Sequence, residues 1–327
     1  MAMSMKSSGI YASLFAIALF GMTFGASAQT FPAKPVRVIV PFPAGGTTDI
    51  VARVIAPRLG ENLGQTILVE NRGGGGGTIG ADLVAKAPPD GYTLLMANVT
   101  FPMGSLASAH RLPYNVDTDF AGVSIVVFVP LVATANPNVP ARDLRELATL
   151  LQKDPSKKLS YGSTGPGSFS HVMYEAFKRE MKVDMTHIPF KGAAPAKQEL
   201  LAGRLDVGGD QLSSSLAELK AGTLRGLATY GSSRIPELPN IPTTRELGFP
   251  SMEADGWNGL LAPAKTPREI IDRLSKEVAA VLKVPDIARR ITELAAEPIG
   301  STPAEQDAML KKQLAQFRAL TRDMKFE

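Results

Sequence analysis

The 327-residue chain has no cysteine, one tryptophan and three histidines, and its charge is nearly balanced, with 35 Lys+Arg against 31 Asp+Glu. Each shortage removes a class of protein. Without thiols there is no disulfide framework, thiolate nucleophile or Cys-ligated metal site. None is needed for folding, because a chain this long suits two domains that each bury a core. A net charge of +4 over this length lacks the dominant basic surface of a nucleic-acid binder, and 44% hydrophobic residues are too many for disorder. Long apolar runs are scarce as well. Residues 10–24 form one, preceded by Lys6 and followed by Ala26-Ser27-Ala28. This is the pattern of a secretory signal over residues 1–28 cleaved after Ala28, which predicts an exported protein. No later run suffices to span a bilayer: the longest, residues 123–135, contains Pro130. The missing cysteine also removes the residue that would carry a lipid tether, so the exported chain is expected to diffuse freely.

Downstream of Gln29, short β-branched runs alternate with amphipathic stretches, the pattern of an α/β fold with mainly parallel strands. Strands are expected at 36–40, 66–69 and 93–96. Helices should start at Thr47 or Thr48, either of which can cap, and at Ile79; Pro57 should bend or shorten the first. Residues 123–135 are too long for one strand and should carry the chain from one lobe into another. There the pattern restarts: helices at 144–153, 168–181 and 194–202, strands at 159–161, 185–188, 205–207 and 224–229. A strand at 257–261 would return the chain to the first lobe, followed by helices at 267–282 and from Asp286 and Pro303. The expected division is 29–127 plus 256–327 for lobe 1 and 128–255 for lobe 2, a clamshell with the ligand cleft between.

What the chain has in abundance is clustered glycine. Eleven of its thirty glycines fall in three turns, at 45–46, 73–80 and 162–167. In Pro41-Phe42-Pro43-Ala44-Gly45-Gly46-Thr47 a strand ends, glycines turn the chain and a helix begins; Tyr161-Gly162-Ser163-Thr164-Gly165-Pro166-Gly167-Ser168 repeats the arrangement. Such a turn exposes peptide N–H groups beside the positive end of a helix, a site for an anion. Two of them, one per lobe at the carboxyl ends of strands, would hold the two ends of a dianion. Neither has the Lys-Ser or Lys-Thr of a nucleotide phosphate loop. The run Gly73 to Gly77 contains a dinucleotide-type spacing without a convincing acidic partner about 20 residues on. It is read first as the start of a helix and second as a ligand or interdomain contact.

Other constellations are weaker. Ser168 and His171 are one helical turn apart, but the G-x-S-x-G elbow of a hydrolase is absent, so a capping serine is expected. His110, His171 and His187 lack zinc-ligand spacing. Asp206 and Asp210 flank a second-lobe strand end, where Asp210 either meets a ligand group or sits in a turn. Asn98 and Thr100 are polar candidates on the first-lobe rim. The pairs Arg289-Arg290 and Lys311-Lys312 fit solvated helix faces.

Together these motifs resemble the Bug/TctC family, the exported solute-binding proteins of tripartite tricarboxylate transporters. The likeness runs through Phe31-Pro32-Ala33-Lys34-Pro35-Val36-Arg37, the PFPAGG loop, Val69-Glu70-Asn71-Arg72, Pro89-Asp90-Gly91-Tyr92, the YGSTGPGS loop with His171, His187-Ile188-Pro189-Phe190-Lys191-Gly192, and Trp257 through Pro267. It implies a type II-like, two-lobed Venus-flytrap fold, each lobe a sheet flanked by helices. It also implies a carboxylate ligand, delivery to the transporter's membrane subunits, and no catalysis. The family's ligand loops match Phe42, Pro43, Ala44, Gly45 and Gly46, reaching one carboxylate partly through water, and Ser163, Thr164, Gly167 and Ser168, gripping the other directly. Its second-lobe aspartate matches Asp210. A monomer without cofactor, metal or nucleic-acid partner is expected. A ligand-presenting sensor would use the same body, whereas a secreted Ser-His hydrolase would need an activated nucleophile. Three departures point to a dicarboxylate that is larger or aromatic: Gly208-Gly209 where the family commonly has a Phe before that Asp, Phe190 for the usual Tyr, and apolar Phe101-Pro102-Met103 near the rim.

Overall fold

The computed structural model describes residues 31–107, 112–322 and 324. The expected signal segment and His110 lie outside the described residues. Two mixed sheets with helices against them make up the fold. The first contains β1 (Val36–Val40), β2 (Ile67–Asn71), β3 (Thr93–Asn98), β4 (Phe120–Phe128), β10 (Trp257–Pro263) and β11 (Glu297–Pro298), in the order β11-β4-β10-β3-β1-β2. The second contains β5 (Leu131–Ala135), β6 (Ser160–Ser163), β7 (Thr186–Pro189), β8 (Val207–Gln211) and β9 (Arg225–Thr229), in the order β7-β6-β8-β5-β9.

The strands follow from period-two patterning. Val36, Val38 and Val40 of β1 and Leu94 and Met96 of β3 enter one core, while Ile39, Leu95 and Ala97 enter the other. Helices α1 (Thr47–Leu63), α8 (Arg268–Leu282) and α9 (Pro285–Thr292) cover the first face through Val51, Ile55, Leu59, Ile271, Leu274, Val278 and Ile291. Helices α2 (Thr78–Ala85), α3 (Thr100–Ala107) and α10 (Pro303–Thr321) contribute Val84, Met103, Leu314 and Phe317 to the second. The second sheet carries α4 (Leu144–Lys153), α5 (Phe169–Met181), α6 (Ala193–Leu201) and the short α7 (Leu216–Ala221). Each fully buried Leu, Ile or Phe contributes roughly 1.5–3 kcal/mol.

The chain crosses between the sheets twice, after β4 through Val129-Pro130 and again before β10. The 123–135 run thus splits at Pro130 into β4 and β5. Both sheets are mixed rather than mainly parallel. β1 pairs in parallel with β2 and β3, and β6 with β7 and β8, but the crossing strands β5 and β10 are antiparallel to both neighbours. A strand arriving from the other sheet starts at the shared edge, so it runs against strands that start at the far side.

Two local expectations need correction, and one helix has no counterpart among the expected elements. α1 runs through Pro57 to Leu63 without shortening. Pro57 lies on the exposed side, where water can satisfy the carbonyl it leaves unbonded, while buried Val54, Ile55, Leu59 and Leu63 anchor both halves. α3 was not legible in Thr-Phe-Pro-Met-Gly, although its proline falls in the first turn, where the missing donor costs little. The cap of α1 is Gly46 rather than a threonine.

Candidate functional site

The loops after β1, β2, β3, β6 and β7 converge at the carboxyl ends of their strands. One of their contacts is backbone on backbone. A Cβ on Gly76 would lie 2.5 Å from the Pro166 carbonyl oxygen, and Gly76 has φ of +63°, so the second-sheet loop approaches the first only because this residue lacks a side chain. Gly192 makes room instead for the Pro43 ring, whose Cδ would lie 2.7 Å from a Cβ there, and Gly45 faces the Ala194 methyl group. The five-glycine run is therefore an interlobe contact as well as the turn into α2.

The first loop, residues 42–46, is braced by charge. Gly45 N–H donates to Asp49 Oδ2 at 3.0 Å, and Asp49 Oδ1 accepts from Arg53 Nε and from Asn71 Nδ2, each at 2.9 Å. Asn71 Nδ2 also reaches the Phe42 carbonyl at 3.0 Å. Asp49 is buried at the third position of α1 and occupies the positive end of the helix. Asn98 Nδ2 donates to Thr48 Oγ1 at 2.9 Å, and its Oδ1 accepts from Thr100 N–H at 2.9 Å. Asn98 thus ties β3 to α1 and starts α3.

The second loop, residues 163–168, has no acid in the first turn of α5. Neutral acceptors hold its N–H groups: Ser170 Oγ takes Thr164 at 3.3 Å, Ser163 Oγ takes Gly165 at 3.2 Å and His171 Nδ1 takes Gly167 at 3.0 Å. Phe169 N–H reaches Thr100 Oγ1 across the two halves at 3.4 Å. Several of these bonds are long and therefore weak. Ser168 occupies the cap position of α5 but makes no side-chain cap bond; its hydroxyl lies 3.4 Å from Ser170 Oγ. With His171 Nδ1 engaged by Gly167, Ser168 and His171 do not form a nucleophile-base pair.

The structure sorts the predicted residues into two groups. Ser163, Thr164 and Asp210 line one cavity of 30 Å³ with Lys197 and Thr134; Phe42, Asn98 and Thr100 line another of 10 Å³ with Gly76 and Tyr114. Ala44 and Gly45 are exposed and Pro43 is half-buried. Burial lifts the Asp210 carboxyl to about 7, with the Gln211 backbone N–H offsetting part of the effect. Asp206 instead accepts from Ser160 N–H and Oγ at 2.7 and 2.8 Å, a structural role. A cavity of 530 Å³ at the two crossings, lined by Val129, Pro130, Arg234 and Gly256, includes none of these candidates.

Two of the departures that suggested a wide pocket do not widen it. A Cβ on Gly209, at φ +146°, would lie 2.2 Å from the Val132 carbonyl, so the neighbouring strand already fills that space. Met103 is fully buried, and the Phe101 ring packs edge-on against Phe120 with centroids 4.9 Å apart. Sequence reasoning missed the Asp49–Arg53–Asn71 brace and the meeting of His187 with His171, whose rings stack at 4.0 Å. The only signal was the presence of Asn71 and His187 in the quoted motifs. Among the described residues, no group of His, Asp and Glu side chains could hold a metal ion, and no helix is long and apolar enough to cross a membrane.

Two α/β halves joined by two crossings, with donor-rich loops meeting at strand ends, define a two-lobed solute-binding protein. The family model described as the tripartite tricarboxylate transporter family receptor, TctC, matches residues 51–325. BugT of Bordetella pertussis is 34% identical over 308 residues, 94% of this chain and 94% of BugT. Two solved structures from Rhodopseudomonas palustris are each 34% identical and cover 89% of this chain. One is MatC with bound malate, at a TM-score of 0.84 over 99% of its length; the other is a protein with adipate, at 0.83 over 97%. The chain belongs to the TctC receptor family, whose members are periplasmic solute-binding proteins.

Proposed function

We propose that this protein captures an aliphatic dicarboxylate by closing its two lobes and delivers it to the membrane subunits of a tripartite tricarboxylate-type transporter. The observation that carries this reading is the pair of strand-to-helix loops, 42–46 and 163–168, both at the interlobe contact, where the first faces residues 192–194 and the second faces Gly76; the second has neutral acceptors and no acid in its first turn. A ligand carboxylate displaces the weak internal acceptors of Thr164 and Gly165 and gains the helix end of α5. Phe42 to Gly46 receive the far carboxylate, and Asn98, Thr100, His171 and Asp210 shape the walls. The bound ligand favours the closed form, the only one in which both loops contribute. Malate and adipate in the related structures support an aliphatic diacid. The lobes are assigned as 29–127 plus 256–327 and 128–255, in a monomer that performs no catalysis. Residues 1–28 act as a signal peptide cleaved after Ala28.

The test is a melting panel of malate, adipate, tricarballylate and phthalate on the mature protein. Ligand at 100 times its dissociation constant stabilises by about 2.7 kcal/mol. Stabilisation by phthalate alone would overturn the aliphatic assignment, and no shift with any carboxylate would overturn the function.

A further inference from the structure

We propose that His187 is a positioning residue for the second ligand loop and that, stacked on His171, it forms a latch which holds the loop only while the imidazole pair is uncharged. This deepens the carboxylate reading and rests on it. His187 Nε2 lies 2.7 Å from Ser163 Oγ, and that hydroxyl is 3.2 Å from both the N–H and the carbonyl of Gly165. The ring of His187 lies against His171, with centroids 4.0 Å apart and planes at 10°, and beside Tyr161, at 4.9 Å and 16°. His171 in turn accepts the Gly167 N–H through Nδ1 at 3.0 Å. The two imidazoles therefore fix both ends of the loop, Ser163 to Gly165 through one ring and Gly167 through the other.

The latch has Gly165 N–H donating to Ser163 Oγ and the Ser163 hydroxyl donating to His187 Nε2, so His187 accepts this bond only while Nε2 is unprotonated. An acceptor Nδ1 carries no proton, so neutral His171 holds its hydrogen on Nε2. A second proton on Nδ1 would set two donors head to head at Gly167 and place charge against the stacked neighbour. The charged groups acting on both rings are Glu175 and Lys178 of α5, which pair with each other at 2.7 Å and act in opposite senses. From β6 comes Tyr161, whose hydroxyl donates to Glu175 at 2.6 Å. Burial is the largest influence on both rings, pushing His171 down to about 4 and lowering His187 as well. The latch is therefore set at neutral pH and released as pH falls toward 4.

The experiment combines nitrogen-15 NMR of the rings with calorimetry using adipate from pH 7.5 to 4. The latch requires His171 to be neutral at pH 6 with its proton on Nε2; an imidazolium or an Nδ1-protonated ring at that pH overturns it whether or not adipate binds. His187→Phe keeps a stacking ring but loses the bond to Ser163, and is expected to weaken adipate about tenfold at pH 7.5 with little change in melting, the size of one buried hydrogen bond. His187→Gln, which can still reach Ser163, recovers part of the loss. The ratio of wild-type to His187→Phe affinity cancels the ionisation of adipate itself, and it should shrink toward one near pH 4. Equal affinities at pH 7.5, or a ratio that does not change with pH, would overturn the proposal. Failure of wild-type protein to bind adipate at pH 7.5 would instead count against the ligand assignment.

Discussion

The two glycine loops share a design in sequence and differ in what holds them. In the first, a buried carboxylate, Asp49, sits at the helix end and is bonded to Gly45 N–H, Arg53 and Asn71. In the second, hydroxyls and an imidazole do the same work, over distances of 3.0 to 3.4 Å. A helix end that already carries a carboxylate has little attraction left for another anion, whereas one held by neutral acceptors keeps its field and can exchange them for a ligand. In the proposed mode of binding, the second loop is therefore the main anion seat and the first a braced wall that receives the far carboxylate.

The sharpest way to break this contrast is to give the second loop the first loop's acid. Ser168→Asp places a carboxylate at the cap of α5, where it favours the helix. We expect adipate affinity, measured by calorimetry, to fall on the order of 100-fold or more, from like-charge repulsion at a desolvated site. Retained binding would show that the anion does not sit there. Gly76→Ala acts on the closed form, because its Cβ would meet the Pro166 carbonyl and its backbone is left-handed. A penalty of about 1–2 kcal/mol on closure corresponds to a loss of roughly tenfold in affinity. Asp49→Asn works in the opposite sense. Removing the charge but keeping an acceptor should cost about 1 kcal/mol of stability and strengthen adipate binding by roughly threefold, an effect that fades in high salt.

Much of the scaffold was legible before the structure. The β-branched runs and helical spacing located β1, β3, β10, α4, α5 and α8, because those segments bury one face or two and their patterns record it. The two glycine turns were equally visible, since a left-handed backbone leaves glycine in the sequence. Hidden features depend on residues far apart in the chain. Nothing local in Gly73 to Gly77 says that Pro166 will press against Gly76, and nothing in Gly208-Gly209 says that the Val132 carbonyl fills the space a side chain would take. The expected cap bonds failed for a related reason. Thr48 bonds Asn98, a tertiary partner that outweighs the local preference for capping, whereas Ser168 does take the cap position but turns its hydroxyl to its near neighbour Ser170. The sheet directions were misjudged because strand patterning carries no sign for direction; only the crossings supply it.

The last and smallest test concerns the two aspartates that most distinguish the loops. Asp49 is paired with Arg53, while Asp210, which shares the cavity of Ser163 and Thr164, has burial pushing its carboxyl to about 7. Burial thus favours a neutral Asp210 below that pH, which would keep negative charge away from the proposed anion seat. Because its folded-state value lies above the ordinary 3.8, the folded protein binds more protons than the unfolded chain between those limits, so this residue's contribution to stability declines as pH rises through about 7. Asp210→Asn removes that decline. Since the carboxyl is open to the small cavity, the expected gain at pH 8 is about 1–2 kcal/mol, measured by denaturant unfolding, with a smaller gain at pH 5 and none below about pH 4. The same variant should bind adipate equally at pH 6 and pH 8, where the wild type weakens by a few-fold as Asp210 acquires charge beside the ligand. A wild type that is flat over that range would mean that Asp210 is paired in the bound state and that the second lobe, like the first, carries a fixed negative charge at its loop.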